Sequence, residues 1–155
     1  MAGVGDFVAR HTVIGIDTPV FIYQLERASG YSRATRLLFD LVGRGGIRAF
    51  TSVVTITEVT TRPYLLRDAK AAEDYLATLL QMPNLRVIDI GVVIADRAAQ
   101  LRGRYRLRTP DALQLAACLE AGATGFVTND RRLRVVAELD VLVLAETDEV
   151  AGADS

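Results

Sequence analysis

Four acidic residues of this sequence stand where their carboxylates could act together. Each lies just past the end of a predicted strand or in the helix that follows it: Asp17, Glu58, Asp111 and Asp130. Strands of a parallel sheet end at a common edge, and ligands of open α/β folds bind there, so the four side chains are expected to converge in one pocket. Carboxylates that close together repel one another, and such a cluster needs raised pKa values or a bound cation.

The types of ligand indicate which cation would fit. All four candidate ligands are carboxylate oxygens, and no His or Cys is expected near them. This favours Mg²⁺ or Mn²⁺ over zinc. One or two such ions activate water and stabilise the charge of a phosphoryl group. A metal-dependent phosphatase with Asp17 as its nucleophile is an alternative, but it would want a second Asp two residues on, where the chain has Pro19.

Each acid also has a plain structural explanation. Asp17 could be a turn former, although Thr18 is expected to supply the N-cap of the helix that follows. Glu58 could be a solvated helical residue, Asp111 could be favoured by a helix dipole, and Asp130 could cap a turn. Singly none of the four is specific, and it is their common placement that indicates a site.

Strand-like and helix-like segments alternate along the chain. Short apolar runs predict strands at 13–16, 47–52, 85–90, 125–128 and 141–144. Helical patterns follow them at 18–26, 31–42, from 52 onwards, and at 67–82, 92–101, 111–121 and 131–138. This alternation predicts an α/β fold with a mainly parallel sheet and helices on both faces.

The length of 155 residues predicts a single domain over 1–155, with its core at about 12–145. Residues 1–11 are expected to be a loose leader whose His11 has no role, and the acidic residues 146–155 a disordered tail. No apolar run is long enough for a membrane span, and the start does not resemble a signal peptide. The only cysteine, Cys118, is expected to be a packing residue in a reducing cytoplasm.

The net charge of −1 hides an uneven distribution of charge. Residues 1–134 hold all 18 basic residues and 13 of the 19 acidic ones, and every basic residue except Lys70 is an arginine. The guanidinium fork matches phosphate geometry, which suits nucleic acid. A GC-rich coding sequence would also favour arginine, and both explanations stay open.

Four segments of the chain resemble the PIN domain, and their order and spacing match the VapC-type ribonuclease toxins. They are residues 16–23, Glu58, residues 109–116 (Thr-Pro-Asp-Ala-Leu-Gln-Leu-Ala) and residues 127–133 (Val-Thr-Asn-Asp-Arg-Arg-Leu). The likeness covers about 12–145, and the third segment is its most specific part. Pro19 departs from the family, which often has Asn or Ser there, and this removes a polar group without touching the carboxylates.

The resemblance implies a three-layer α/β/α fold with a five-stranded sheet of order 3-2-1-4-5. It also implies a metal-dependent endoribonuclease whose acidic quartet is Asp17, Glu58, Asp111 and Asp130, with Thr18 and Thr128 supporting the pocket by hydrogen bonding. We expect Asp17 and Asp111 to be the main ligands of Mg²⁺ or Mn²⁺. Glu58 would ligate the ion or orient the attacking water, and Asp130 would complete the site or hold a second ion. A homodimer and a small antitoxin protein, which inserts a segment beside the site, are implied as well.

Basic residues must oppose the acidic pocket if RNA is to bind. The candidates are Arg104, Arg106, Arg108, Arg131 and Arg132, with Arg102 and Arg134 in the same two stretches. A solvated charged face is the alternative for them. A structured RNA with an exposed loop, such as tRNA or an rRNA loop, is the expected target. The alternative for the whole chain is a catalytically inactive PIN-like module that binds RNA or protein.

Overall fold

The computed structural model describes residues 3–27 and 29–151, and a five-stranded sheet forms its centre. The strands are β1 (Val13–Ile16), β2 (Arg48–Ser52), β3 (Leu85–Ile88), β4 (Gly125–Thr128) and β5 (Asp140–Val143). All neighbouring strands are parallel, in the order β3-β2-β1-β4-β5. The predicted sheet and its strand order are confirmed, and β1 is the central strand.

Helices cover both faces of the sheet. They are α1 (Val4–Ala9), α2 (Thr18–Glu26), α3 (Ser32–Gly43), α4 (Val53–Leu65), α5 (Ala69–Gln81), α6 (Val92–Tyr105), α7 (Thr109–Glu120) and α8 (Asp148–Ala151). Short 3₁₀ turns span Arg131–Val135 and Leu144–Glu146. No helix within the described ranges is long and apolar enough to cross a membrane.

Two hydrophobic cores, one on each face of the sheet, make the fold three-layered. Side chains of a strand alternate between its faces. Ile14 and Ile16 of β1 therefore join the core under α1 to α5, and Val13 joins the core under α6 and α7. All four residues of β1 are buried, as predicted for the middle strand of a parallel sheet.

Two predicted helix ends differ from the structure. Helix α6 was expected to end at Leu101 but continues to Tyr105, whose ring packs partly buried against the core. Arg106 then ends α6 in the left-handed conformation, with φ of 58°. The segment predicted as a helix at 131–138 is a 3₁₀ turn that ends at Val135.

The expected loose leader is wrong for residues 3–11. Residues Val4–Ala9 form α1, which buries Val4 and Phe7 completely. His11 is not a solvated tail residue, because its Nδ1 lies 2.7 Å from the Thr124 hydroxyl and its Nε2 lies 2.7 Å from Oδ2 of Asp140. These contacts fasten the leader to the amino-terminal edge of the sheet. Residues 1–2 lie outside the described residues.

The expected disorder of the tail is likewise wrong for residues 146–151. The Glu149 carboxylate accepts hydrogen bonds from the backbone N–H of Val4 at 3.0 and 3.1 Å, so α8 caps α1. A carboxylate at a helix N-terminus is favourable because it meets unpaired N–H groups and the positive end of the dipole. The acidic composition therefore has a structural use here. Residues 152–155 lie outside the described residues.

The absence of a side chain at Gly15 lets α7 approach the central strand. A Cβ placed at Gly15 would lie 2.5 Å from Sγ of Cys118 and 2.8 Å from Cδ2 of Phe126. Cys118 lies on α7, seven residues after Asp111 and on nearly the same stripe of the helix. The close approach at Gly15 therefore helps to set where Asp111 lies above the end of β1.

We predict that Gly15→Ala destabilises the fold by about 1–3 kcal/mol, because the added methyl group overpacks the contact between β1 and α7. Gly103→Ala, in α6, is the matched control, since nothing lies within 4 Å of a Cβ placed there. That control should gain about 0.5–1 kcal/mol from better helix propensity. Urea unfolding of both variants measures the difference, and equal stabilities would refute the packing argument.

Candidate active site

The carboxylate of Asp17 lies at the carboxyl end of β1 and at the start of α2. Its Oδ1 accepts a hydrogen bond from the backbone N–H of Thr18 at 2.9 Å, and its Oδ2 accepts one from the Thr128 hydroxyl at 2.7 Å. Only 7% of Asp17 is exposed. The predicted N-cap was wrong: Asp17 is the cap and Thr18 is the first helical residue, because the helix begins one residue earlier and Asp caps as well as Thr does.

The surroundings of Asp17 disfavour its charge. Burial raises its pKa to about 6, against the lowering effect of the hydrogen bonds from Thr128 and Thr18. The neighbouring carboxylates of Asp111 and Glu58 raise the pKa further. Three acids, one directly after β1, one on α4 and one on α7, are therefore near enough to interact. A cation placed among them would relieve this repulsion.

Glu58 is held beside Asp17 by a threonine hydroxyl. It lies in the second turn of α4, whose N-cap is Ser52, as predicted. The Thr18 hydroxyl donates a hydrogen bond to Oε1 of Glu58 at 2.8 Å. Thr18 thus sits between the two acids, with its N–H on Asp17 and its hydroxyl on Glu58. The role of Thr18 in supporting a metal pocket stays a prediction.

Asp111 and Asp130 line a second part of the site, a cavity of about 310 Å³. Asp111 lies in the first turn of α7, where its Oδ2 accepts a hydrogen bond from Nε of Arg108 at 3.1 Å. Asp130 caps the 3₁₀ turn that follows β4, and Arg132 binds both of its oxygens, at 3.0 and 2.7 Å. The hydrogen bonds from Arg132 lower the pKa of Asp130.

The four acids thus lie at the same edge of the sheet but have different hydrogen-bond partners. Asp17 and Glu58 share Thr18, whereas Asp111 and Asp130 each hold an arginine. Within residues 3–27 and 29–151, no three His, Cys, Asp or Glu side chains are grouped closely enough to hold a metal ion. Their roles as metal ligands therefore stay predictions.

Sequence reasoning missed a buried polar cluster that adjoins these acids. Gln114 lies one turn after Asp111 on α7 and is 2% exposed. It hydrogen bonds to Ser52, Thr51 and Thr55, at the junction of β2 and α4. The available signal was a Gln in an otherwise apolar helix, opposite a segment rich in Ser and Thr.

A PIN domain family model matches residues 14–139 of the chain. The chain is a member of the PIN domain family. Comparison of its sequence with curated proteins gave no match. The match covers the strands and helices that bring the four acids to one edge, and the fold agrees with the one that the resemblance implied.

Several solved structures share this fold at low sequence identity. VapBC2 from Rickettsia felis, bound to a DNA fragment from its promoter, is 14% identical and has a TM-score of 0.68, covering 84% of this chain and 98% of that one. A toxin–antitoxin complex from Klebsiella pneumoniae is 21% identical, with a TM-score of 0.62 and coverage of 84% and 97%. VapC20 from Mycobacterium tuberculosis, a toxin that cleaves the sarcin–ricin loop, is 17% identical, with a TM-score of 0.59 and coverage of 73% and 86%.

The arginines predicted to contact RNA have different surroundings in this PIN domain. Arg104 pairs with Glu138 at 3.1 Å, and Arg131 and Arg134 both pair with Glu146. Arg102 donates to the Leu107 carbonyl at 3.0 Å. Those side chains therefore have acidic or carbonyl partners. Arg108 and Arg132 pair with Asp111 and Asp130, and together with Arg106 they line the cavity that contains these two acids.

We predict that Asp17→Asn stabilises the metal-free PIN domain at neutral pH. Because the pKa of the folded state, about 6, lies above the ordinary 3.8, the folded protein loses stability as pH rises from about 4 to 6. This cost reaches roughly 3 kcal/mol at pH 7, since one pKa unit corresponds to about 1.4 kcal/mol. Asn keeps the capping oxygen and has no charge to bury.

Urea unfolding in EDTA at about pH 4 and about pH 7.5 measures this effect. The Asn variant should exceed the wild type only at the higher pH, by about 1–3 kcal/mol. Asp40→Asn, an exposed acid on α3, is the control and should change little at either pH. An Asp17→Asn variant that is less stable than the wild type at pH 7.5 would contradict the argument.

Proposed function

We propose that this PIN domain is a metal-dependent endoribonuclease, the toxin of a toxin–antitoxin pair that inhibits translation. The observation that supports this most is the buried carboxylate of Asp17. Its pKa is raised by burial and by the neighbouring carboxylates of Asp111 and Glu58. Such strongly perturbed acids are typical of functional sites. Membership of the PIN family and the likeness to VapC20, described as a toxin that cleaves the sarcin–ricin loop, agree with a nuclease.

The chemistry of the donor set fits Mg²⁺ or Mn²⁺. The candidate ligands are carboxylate oxygens, which hard divalent cations prefer. Mg²⁺ keeps several of its waters and is commonly held by one or two carboxylates with the substrate phosphate, so a closed cage of protein ligands is not required. Asp17 and Asp111 would hold the ion, and the mutual repulsion that raises the pKa of Asp17 would be relieved.

The residues of the chain divide the work of phosphodiester hydrolysis. When bound, the metal lowers the pKa of a coordinated water and neutralises charge on the phosphoryl oxygens. Glu58, whose carboxylate is anchored by the Thr18 hydroxyl, orients the attacking water. Thr128 fixes the Asp17 carboxylate from the β4 side, and Asp130 completes the site. Water adds to phosphorus and the bond to the 3′-oxygen breaks, which leaves a 5′-phosphate and a free 3′-hydroxyl.

The RNA backbone would enter over the cavity lined by Arg106, Arg108 and Arg132. Arginine forks bind phosphate oxygens bidentately. Arg104 and Arg131, which flank the residues of this cavity in sequence, would add further attraction once they leave their exposed ion pairs, which are weak. The target would be a structured RNA with an exposed loop, such as tRNA or an rRNA loop.

A groove on the other side of Glu58 would receive the antitoxin. This cavity of about 520 Å³ lies between α2, α4 and α5, and its wall includes Ile22, Leu25, Val59 and Leu66. Leu66 is 69% exposed. Glu26, Glu58, Arg62 and Asp68 line the same groove, so its wall is partly apolar and partly charged. A groove of this kind suits an inserted amphipathic segment of a small protein. The similar structure from Klebsiella pneumoniae is a toxin–antitoxin complex, which agrees with such a partner. We propose a cytoplasmic homodimer as the toxin's own assembly.

Cleavage of RNA by the purified, antitoxin-free protein tests the proposal. We expect discrete fragments of total cellular RNA with 5′-phosphate ends in Mg²⁺ or Mn²⁺, and none with EDTA. Asp111→Asn should lower the rate by at least about 100-fold, because it removes a ligand charge while the fold stays intact. Asp40→Asn, an exposed acid on another face, should cleave like the wild type.

Two results would count against this function. Full activity of Asp111→Asn would refute the assignment of the site. A folded wild type that binds Mn²⁺ and a partner protein but cuts no RNA would favour the inactive binding module, for which the arginines on Asp111 and Asp130 would be permanent partners.

We predict that Arg106→Gln weakens RNA binding by removing one contact with a phosphate. The logarithm of the association constant should fall less steeply with the logarithm of salt concentration, by about 0.7 for single-stranded RNA. Arg33→Gln, on the exposed surface of α3, is the control of equal charge and should keep the wild-type slope. Both are measured by fluorescence anisotropy in an Asp111→Asn background, and an unchanged slope for Arg106→Gln would remove Arg106 from the RNA path.

A further inference from the structure

Gln114 is a fully hydrogen-bonded amide in the interior of the protein. Its Oε1 accepts from the backbone N–H of Ser52 at 3.1 Å and from the Ser52 hydroxyl. Its Nε2 donates to the hydroxyls of Thr51 at 3.2 Å and Thr55 at 2.7 Å. Because a backbone N–H can only donate, Ser52 decides which end of the amide is oxygen. The orientation of Gln114 is therefore determined.

The cluster around Gln114 continues to the acids through two hydroxyls. Thr55 Oγ1 lies 3.0 Å from Thr18 Oγ1 and 2.7 Å from Thr51 Oγ1. The Thr18 hydroxyl in turn lies 2.8 Å from Oε1 of Glu58. The chain of contacts thus runs from α7, through the start of α4 and the start of α2, to the carboxylate of Glu58.

The chemistry of the two ends gives these hydrogen bonds one direction. An ionised carboxylate only accepts, so the Thr18 proton points to Glu58. Thr18 must then accept from Thr55, and Thr55, which has one proton, must accept from Thr51. The amide of Gln114 donates to both Thr51 and Thr55. The hydroxyl protons of Thr51, Thr55 and Thr18 therefore all point along the series towards Glu58.

We infer that Gln114 and Thr55 are positioning residues that hold Glu58 and Asp111 at their working separation. Asp111 and Gln114 lie three residues apart on one face of α7. The hydrogen bonds of the Gln114 amide therefore fix the position of α7, and with it Asp111, relative to the start of α4, which carries Glu58. An apolar side chain would fill this site at less cost in desolvation. A fully satisfied polar network instead specifies a single arrangement of the elements that it joins.

This inference rests on the proposed nuclease function, and hydroxyl deletions at matched positions test it. Thr55→Val removes the donor to Thr18 and keeps the shape of the side chain, and Thr55→Ser restores the hydroxyl. Thr35→Val is the control, because the Thr35 hydroxyl is equally buried and donates to Gln24 at 2.9 Å, outside the cluster. Gln114→Met deletes the amide at similar length.

The measurements are kcat and KM for RNA, Mn²⁺ affinity by titration calorimetry, and the unfolding midpoint. We expect Thr55→Val and Gln114→Met to lower kcat or Mn²⁺ affinity by about 10- to 100-fold, as for other partners that orient metal ligands, with KM for RNA within about twofold. Thr55→Ser should recover most of the loss. Thr35→Val should lower only the unfolding midpoint.

The outcomes separate this inference from the function on which it rests. Wild-type cleavage with unchanged kcat and Mn²⁺ affinity in folded Thr55→Val and Gln114→Met would overturn the positioning role and leave the nuclease standing. A wild type without RNA cleavage would refute the nuclease. If Mn²⁺ affinity then still fell in Thr55→Val and not in Thr35→Val, the positioning of the acids would be supported independently of activity.

Discussion

The charge buried at the end of the central strand is the constraint on which the rest of this structure depends. Asp17 is almost fully enclosed, and a buried carboxylate is costly unless it is hydrogen bonded and paired. The fold supplies the hydrogen bonds, from the first N–H of α2 and from the Thr128 hydroxyl of β4. A buried carboxylate would usually be paired with a cation, but here its charged neighbours are two further carboxylates, those of Asp111 and Glu58. An apolar residue would cost less to bury at this position, and on the proposed function the carboxylate is there to bind a cation.

One stripe of α7 connects this constraint to the packing of the whole molecule. Asp111, Gln114 and Cys118 follow one another along the helix, over the end of β1, the end of β2 and the middle of β1. Cys118 packs directly on the backbone of Gly15, which has no side chain to keep the helix away. Gln114 makes four hydrogen bonds to residues at the end of β2 and the start of α4. The apolar contact sets how close the helix lies, and the polar one sets its register. Asp111 is positioned by both.

Much of the architecture could be predicted from the sequence because it depends on local pattern. The strands, their parallel arrangement and the start of α4 at Ser52 follow from apolar runs, their alternation with helices and N-cap chemistry. The family resemblance supplied the strand order. The larger contacts that were missed join distant parts of the chain, whereas the local misses concern where helices begin and end. Composition makes 3–11 and 146–151 look like loose ends, but the hydrogen bonds between Val4 and Glu149 and a shared core with Phe7 and Val150 join them.

The same distinction applies within the site. Each acid could be placed at its strand end, but whether Asp17 or Thr18 caps α2 depends on a shift of one residue, which propensity cannot resolve because both residues are good caps. The cluster around Gln114 could not be predicted, since its partners lie about sixty positions away. A single Gln among apolar neighbours indicates burial and leaves its partners unspecified.

Two arginines balance the charge of the outer acids. Arg108 and Arg132 are close neighbours in sequence of the acids they bind, and their side chains are 68% and 74% exposed. Exposed ion pairs of this kind contribute no more than about 1 kcal/mol, so they neutralise the acids without holding them firmly. On the proposed function, a divalent cation would replace both guanidinium groups, which would then turn to the phosphates of the RNA. The residues that balance the metal-free site and those that bind the substrate would be the same, and the net charge of the cavity would change little between the two states.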